Sequence, residues 1–133
     1  MPKKVVFTDK APRPVGQYSQ AIRAGGFLFI SGQIAINPET GRIEENDVRG
    51  QTRRILQNVK AILESQGGSL ADVVKVTVFL SRPEEFNDMN QVYSEFFREA
   101  PPARATVATQ IPGQGALLEI DVIAYLGEST ISI

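Results

Sequence analysis

The chain contains no cysteine and no histidine. Ser-His-Asp and Cys-His nucleophilic machinery, thiolate or imidazole zinc sites and histidine acid–base chemistry are therefore excluded. Disulfides are excluded too, though that says little about compartment. No charge of one sign dominates: 14 Lys and Arg stand against 15 Asp and Glu, interspersed, for a net charge of −1. Such a balance leaves no electrostatic footprint for nucleic acid or an anionic membrane. The apolar runs are far too short to span a bilayer. Met1-Pro2-Lys3-Lys4 begins basic but leads into no apolar core, so no secretory signal is expected and a cytoplasmic protein is. No Asp-rich loop has calcium-binding spacing, and no metal is expected. The chemistry that remains belongs to carboxylates, Arg, Lys, Tyr, Ser, Thr, backbone groups and water.

What is present suffices for a packed protein. With 133 residues, 42% apolar and 22% charged, residues 1–133 are expected to form one domain with a core that needs no staples. Strand patterns run over Lys4–Phe7, up to Ile22, over Phe27–Ile34 and over Val73–Leu80, with two final strands near Ala103–Gln110 and Ala116–Leu126. Gly25-Gly26 is a hairpin turn, and Asn37-Pro38-Glu39-Thr40-Gly41 has the chemistry of a surface loop. Between Asp47 and Gln66 the period becomes helical, with Val48, Thr52, Ile55, Leu56, Val59, Ile62 and Leu63 on one stripe. Asn46 or Asp47 can cap its start, and Gly67-Gly68 can end it. A second helix is expected within Glu85–Glu99, carrying Phe86, Met89, Tyr93, Phe96 and Phe97, and Pro101-Pro102 stops it. The tail Gly127–Ile133 lacks periodicity and is expected to fray.

Two amphipathic helices can cover only one face of a sheet. The α+β fold class follows: a single mixed β-sheet with two helices packed on one face. Strand alternation assigns Leu28, Ile30, Ile34, Val74, Val76, Val78, Leu80, Leu118, Ile120, Val122 and Ala124 to the helix side. The other side then carries Phe29, Ser31, Lys75, Thr77, Phe79, Arg104, Thr106, Glu119, Asp121 and Ile123. Uncovered, that half-apolar face would be adhesive, so a homo-oligomer with sheets packed on each other is expected.

Several of those residues can carry chemistry. Arg104 offers a rigid donor fork that fits a carboxylate, or it is a cross-strand ion-pair partner of Glu119 or Asp121. Glu119 can orient a water and accept its proton, unless it is the structural partner and Asp121 is free. Tyr18, after a Pro/Gly segment, either hydrogen-bonds a ligand or packs. Ser31-Gly32-Gln33 either lets a ligand approach the backbone or marks a bulge. Asn90 faces the site or water, and the aromatics around it are core. Gly113-Gln114-Gly115 has neither the context nor the spacing of a phosphate loop.

Six motifs, in order over about residues 4 to 126, resemble the RidA/YjgF family of enamine/imine deaminases. They are Gly16-Gln17-Tyr18-Ser19-Gln20-Ala21, Ile30-Ser31-Gly32-Gln33-Ile34, Asn37-Pro38-Glu39-Thr40-Gly41, Asn58 through Leu63, Val74 through Leu80, and Pro102-Ala103-Arg104 with Glu119-Ile120. The resemblance implies a chorismate-mutase-like fold and a homotrimer whose sheets form a central barrel, with sites between subunits. It implies hydrolysis of 2-aminoacrylate and related 2-imino acids to 2-oxo acids and ammonia, without a cofactor, as in 2-iminobutanoate/2-iminopropanoate deaminases. By the same resemblance Arg104 clamps the substrate carboxylate and Glu119 holds the attacking water. Tyr18, Ser31 and Gly32 line the pocket, Asn90 lies near it, and Thr106 fills a position often held by Cys or Ser. Gln17 departs from the proline usual before the tyrosine. A non-enzymatic 2-oxo-acid-binding or translation-linked regulatory role is the alternative, and a ribonuclease is disfavoured by the missing basic patch.

Overall fold

A computed structural model describes residues 2–127 of the chain; all of the expected tail but Gly127 lies outside the described residues. Strands β1 (Lys4–Val6), β2 (Ala21–Ala24) and β3 (Phe27–Gln33) form a meander, and a short hairpin of β4 (Ile36–Asn37) and β5 (Arg42–Ile43) follows. Helix α1 (Val48–Ser65), strand β6 (Val73–Leu80), helix α2 (Phe86–Phe96) and strands β7 (Ala103–Ala108) and β8 (Leu118–Tyr125) complete the order. The main sheet is mixed, in the order β1-β2-β3-β8-β6-β7. Only β6 and β7 pair in parallel, joined by α2 as the crossover.

Helix α1 forms where the pattern requires. The Asp47 carboxylate accepts from the Gly50 N–H, and Gly67 beyond the last turn takes φ +77°, the left-handed region that a glycine enters without strain. Its buried stripe of Ile55, Leu56, Val59, Ile62 and Leu63 lies on Leu28, Ile30, Val76, Val78, Leu118, Ile120 and Val122 of the sheet. Helix α2 adds Met89, Val92 and Tyr93.

Two bulges change sides that simple alternation assigns. Between Ile30 and Gln33, β3 takes three steps while β8 takes two, from Val122 to Ile120. An extra residue reverses the inside–outside sense beyond it. Gln33 is therefore buried, while Ile34, expected on the helix side, is only half-buried. At the start of β6 the pairing slips between Val73 and Lys75, so Val73 enters the core and Val74, also expected there, is 44% exposed.

Buried amides hold the loops where strand pairing stops. Gln51 on α1 donates to the Glu45 and Gly115 carbonyls and accepts from the Leu117 N–H, at 2.9–3.0 Å. Gln20 does the same for Thr8 and Pro12, and Asn58 donates to the Ile36 carbonyl. Each satisfies backbone groups that burial would otherwise leave unpaired.

Candidate active site

Arg104 stands on β7, the edge of the sheet, with Val76 as its Cα partner; Thr106 pairs likewise with Val78. Paired residues project to the same side, and Val76 and Val78 are core residues. Arg104 consequently turns toward α2. Its Nη1 donates to Asn90 Oδ1 at 2.8 Å. The guanidinium carbon lies 4.6 Å from the Tyr93 ring centroid and 5.4 Å from that of Phe86. Two ring faces and one amide hold the cation in place. Among the described residues it has no carboxylate partner. It opens on a groove of about 630 Å³ shared with Asn90, Tyr93, Ser94, Phe97 and Pro102. Thr106 is exposed farther along the strand.

This overturns the expectation that Arg104 and Thr106 share the uncovered face with Glu119 and Asp121. It removes the cross-strand ion pair as well. β7 is not a neighbour of β8, because β6 lies between them. Glu119 pairs with Phe79, which pairs with Val107, three residues past Arg104. The two groups are thus separated by roughly 10 Å across the sheet and roughly 10 Å along it, on opposite faces.

Glu119 belongs to a different constellation. It lies on the uncovered face in a cleft of about 450 Å³ with Val15, Tyr18, Ser31, Gly32, Ile34 and Pro112. Its carboxylate rests on Gly32: a Cβ there would fall 2.8 Å from Glu119 Cδ and closer still to Oε2. No hydrogen bond or ion pair engages that carboxylate among the described residues. Burial raises its pKa above the ordinary 4.5, and the negative charge of Asp121 raises it further. A carboxyl raised on folding binds its proton more tightly in the folded chain. Stability therefore falls as pH climbs from 4.5 through the raised value.

Its neighbours are partly committed. The Ser31 hydroxyl donates to the Ser19 carbonyl at 2.6 Å, which leaves it free only to accept. Tyr18 is half-exposed, its hydroxyl accepting from the Val15 N–H at 3.3 Å. Ser31 and Gly32 are the bulge itself, one of the two alternatives the sequence left open, and the Glu119 side chain packs closely on Gly32 there. Phe86 and Tyr93 were assigned to the core alone, yet they also brace Arg104. Their spacing of seven on one helix, beside Asn90, was the available signal. Burial raises the pKa of the Tyr93 hydroxyl, opposed by the charge and hydrogen bonding of the neighbouring Arg104 guanidinium. No cluster of three metal-ligating side chains occurs among the described residues.

A single chain thus carries two separate clefts, with a ring-braced cation on one face of the sheet and a carboxyl of raised pKa on the other. The chain is similar to known proteins over nearly its whole length. Residues 8–126 match the family described as Endoribonuclease L-PSP. A RutC family protein of Pyrococcus abyssi is 53% identical over 125 residues, covering 94% of this chain and 98% of that one. A 2-iminobutanoate/2-iminopropanoate deaminase of Dermatophagoides farinae is 36% identical, covering 94% and 98%. The crystal structure of Escherichia coli TdcF with bound serine superposes with a TM-score of 0.86 at 40% identity, covering 92% of this chain and 98% of that one. The chain belongs to the RidA/YjgF family, the Endoribonuclease L-PSP family of the matching model.

Proposed function

We propose that the protein is a cytoplasmic, cofactor-independent deaminase that hydrolyses 2-aminoacrylate and related 2-imino acids to 2-oxo acids and ammonia. It works as a homotrimer in which the Arg104 half-site of one copy meets the Glu119 half-site of the next. The observation that carries this reading is the separation itself. Among the described residues Arg104 has no anion and Glu119 no cation, and each opens on a cleft at a surface that a second copy can cover. Exposed Phe27, Phe29 and Val107 supply apolar surface for such packing. A cyclic head-to-tail contact joins unlike surfaces and closes into a ring.

The chemistry asks little of the protein. Arg104 and the remaining Asn90 donors hold the substrate carboxylate, which fixes the imine carbon beside Glu119. Glu119 takes a proton from water as its oxygen bonds to that carbon, giving a carbinolamine. Glu119 returns that proton to nitrogen and then accepts the hydroxyl proton as the carbonyl forms, so that the C–N bond breaks and ammonia leaves a 2-oxo acid. An enamine such as 2-aminoacrylate enters after protonation at C3. The raised Glu119 pKa suits a group that must both accept and return a proton.

The test is a coupled assay. 2-Aminoacrylate is generated from serine by a dehydratase, and pyruvate appearance is followed with and without the protein. Acceleration is expected, with loss of about 100-fold or more in Arg104→Ala and the trimer intact by sizing. Saturable 2-oxo-acid binding without acceleration would mean a binding module. A variant that dissociates to monomers would make Arg104 structural.

A further inference from the structure

We infer that Gly32 is a positioning residue for Glu119, a flat seat at the β3 bulge whose missing side chain is the space that the carboxylate occupies. The inference rests on the reading of Glu119 as the water-steering acid. The bulge backbone is fixed from its far side: the Ser31 N–H donates to the Gln20 carbonyl at 3.1 Å, the Ser31 hydroxyl to Ser19, and the Gln33 amide to the Ser31 carbonyl at 3.1 Å. What the bulge presents to β8 is a bare Cα. Glu119 lies across it, with Cδ 2.8 Å and Cγ 3.1 Å from where a Cβ would stand.

The requirement at this position is for space. Gly32 lies outside the left-handed region, so an alanine there meets no backbone strain. The atoms it would strike are the end of a flexible side chain. Gly26 differs: its Cβ would meet the Gly127 carbonyl oxygen at 2.7 Å, which is backbone. One glycine serves the acid, the other the packing of the chain. Val15, Ile34 and Pro112 close apolar walls around the seated carboxylate, and the titratable groups near it are Asp121 two residues along β8 and Tyr18 in the same cleft; Lys75 lies four residues along β6 from the partner of Glu119.

The experiment uses the assembled protein and two readouts, steady-state kinetics and a ¹³C-NMR titration of the Glu119 carboxyl. In Gly32→Ala the carboxylate is pushed off its seat toward solvent. Its titration is expected to move to lower pH, and kcat to fall about 10–100-fold with KM little changed. In a Glu119→Asp background, whose shorter side chain no longer reaches the seat, the same alanine should cost almost nothing. Gly26→Ala should lower thermal stability and leave the Glu119 titration alone. An unmoved titration in Gly32→Ala, or an equal penalty in both backgrounds, overturns the inference. Should alanine alone prevent folding, recovery in the double variant would support the seat and continued misfolding would overturn it. The NMR arm is independent of turnover, so an inactive wild-type protein would refute the deaminase reading and leave the seat tested.

Discussion

The two half-sites treat their charges in opposite ways. Arg104 is braced, its guanidinium over two rings and its Nη1 hydrogen-bonded to an amide, while it still lines an open groove. Glu119 has apolar walls, a like charge two residues away and no donor among the described residues. A group that must bind benefits from rigidity, because ordering it beforehand leaves less entropy to lose with the ligand. A group that must exchange a proton benefits from being left unsatisfied, since each donor would stabilise its charged form and weaken it as a base. The fold places the first on its edge strand against a helix and the second on the open face of a central strand.

Disabling the acid should produce the largest effect. Glu119→Gln keeps the shape and removes the proton acceptor, and kcat should fall by about 10²–10⁴-fold while the carboxylate of a 2-oxo acid still binds. Equal losses in binding and turnover would show that both halves merely hold ligand. Next comes complementation. Arg104→Ala and Glu119→Gln are each inactive alone, but co-refolded at equal ratio they should regain about a quarter of wild-type activity, one intact pair of half-sites per mixed trimer. No recovery would place the two halves of each site in one protomer. The smallest effect concerns pH. The proposed mechanism needs ionised Glu119, so kcat should fall on the acid side through a pKa above 4.5. Substrate carboxylate balances Arg104 in the bound state, so the kcat profile reports that raised value. Asp121→Asn removes one of its two causes and should move the acid limb to lower pH. An unmoved limb would mean burial acts alone.

Much of this was legible in the sequence, and the rest failed for identifiable reasons. Helix α1, with Asp47 before it and Gly67 after it, followed from periodicity and caps. The core sides of β8 and most of β6 followed from alternation. The Val73 and Gln33 inversions did not, because a bulge adds a residue without any residue type that demands one. Arg104 was placed on the wrong face for a different reason. Alternation shows that Arg104 and Thr106 share a side, but an edge strand such as β7 is mostly exposed on both sides, and its Ala103, Ala105 and Val107 give no burial contrast. Only the parallel register with β6 decides the side, and register between distant strands is not written in either strand alone. The family motifs picked out Arg104 and Glu119 and implied sites between subunits; the strand order, with β6 between β7 and β8, is what keeps the two residues apart within one chain.

The Gln51 side chain has a consequence for how this protein can vary. By gripping the Leu117 N–H and the Gly115 carbonyl from α1, it anchors the chain just ahead of β8. Everything from 109 to 114 is upstream of that anchor. Changes of length or composition there can remodel the rim of the cleft at Pro112 while the acid two residues beyond the anchor stays put. Variation in the shape of the cleft rim is thereby uncoupled from the placement of the Glu119 carboxyl.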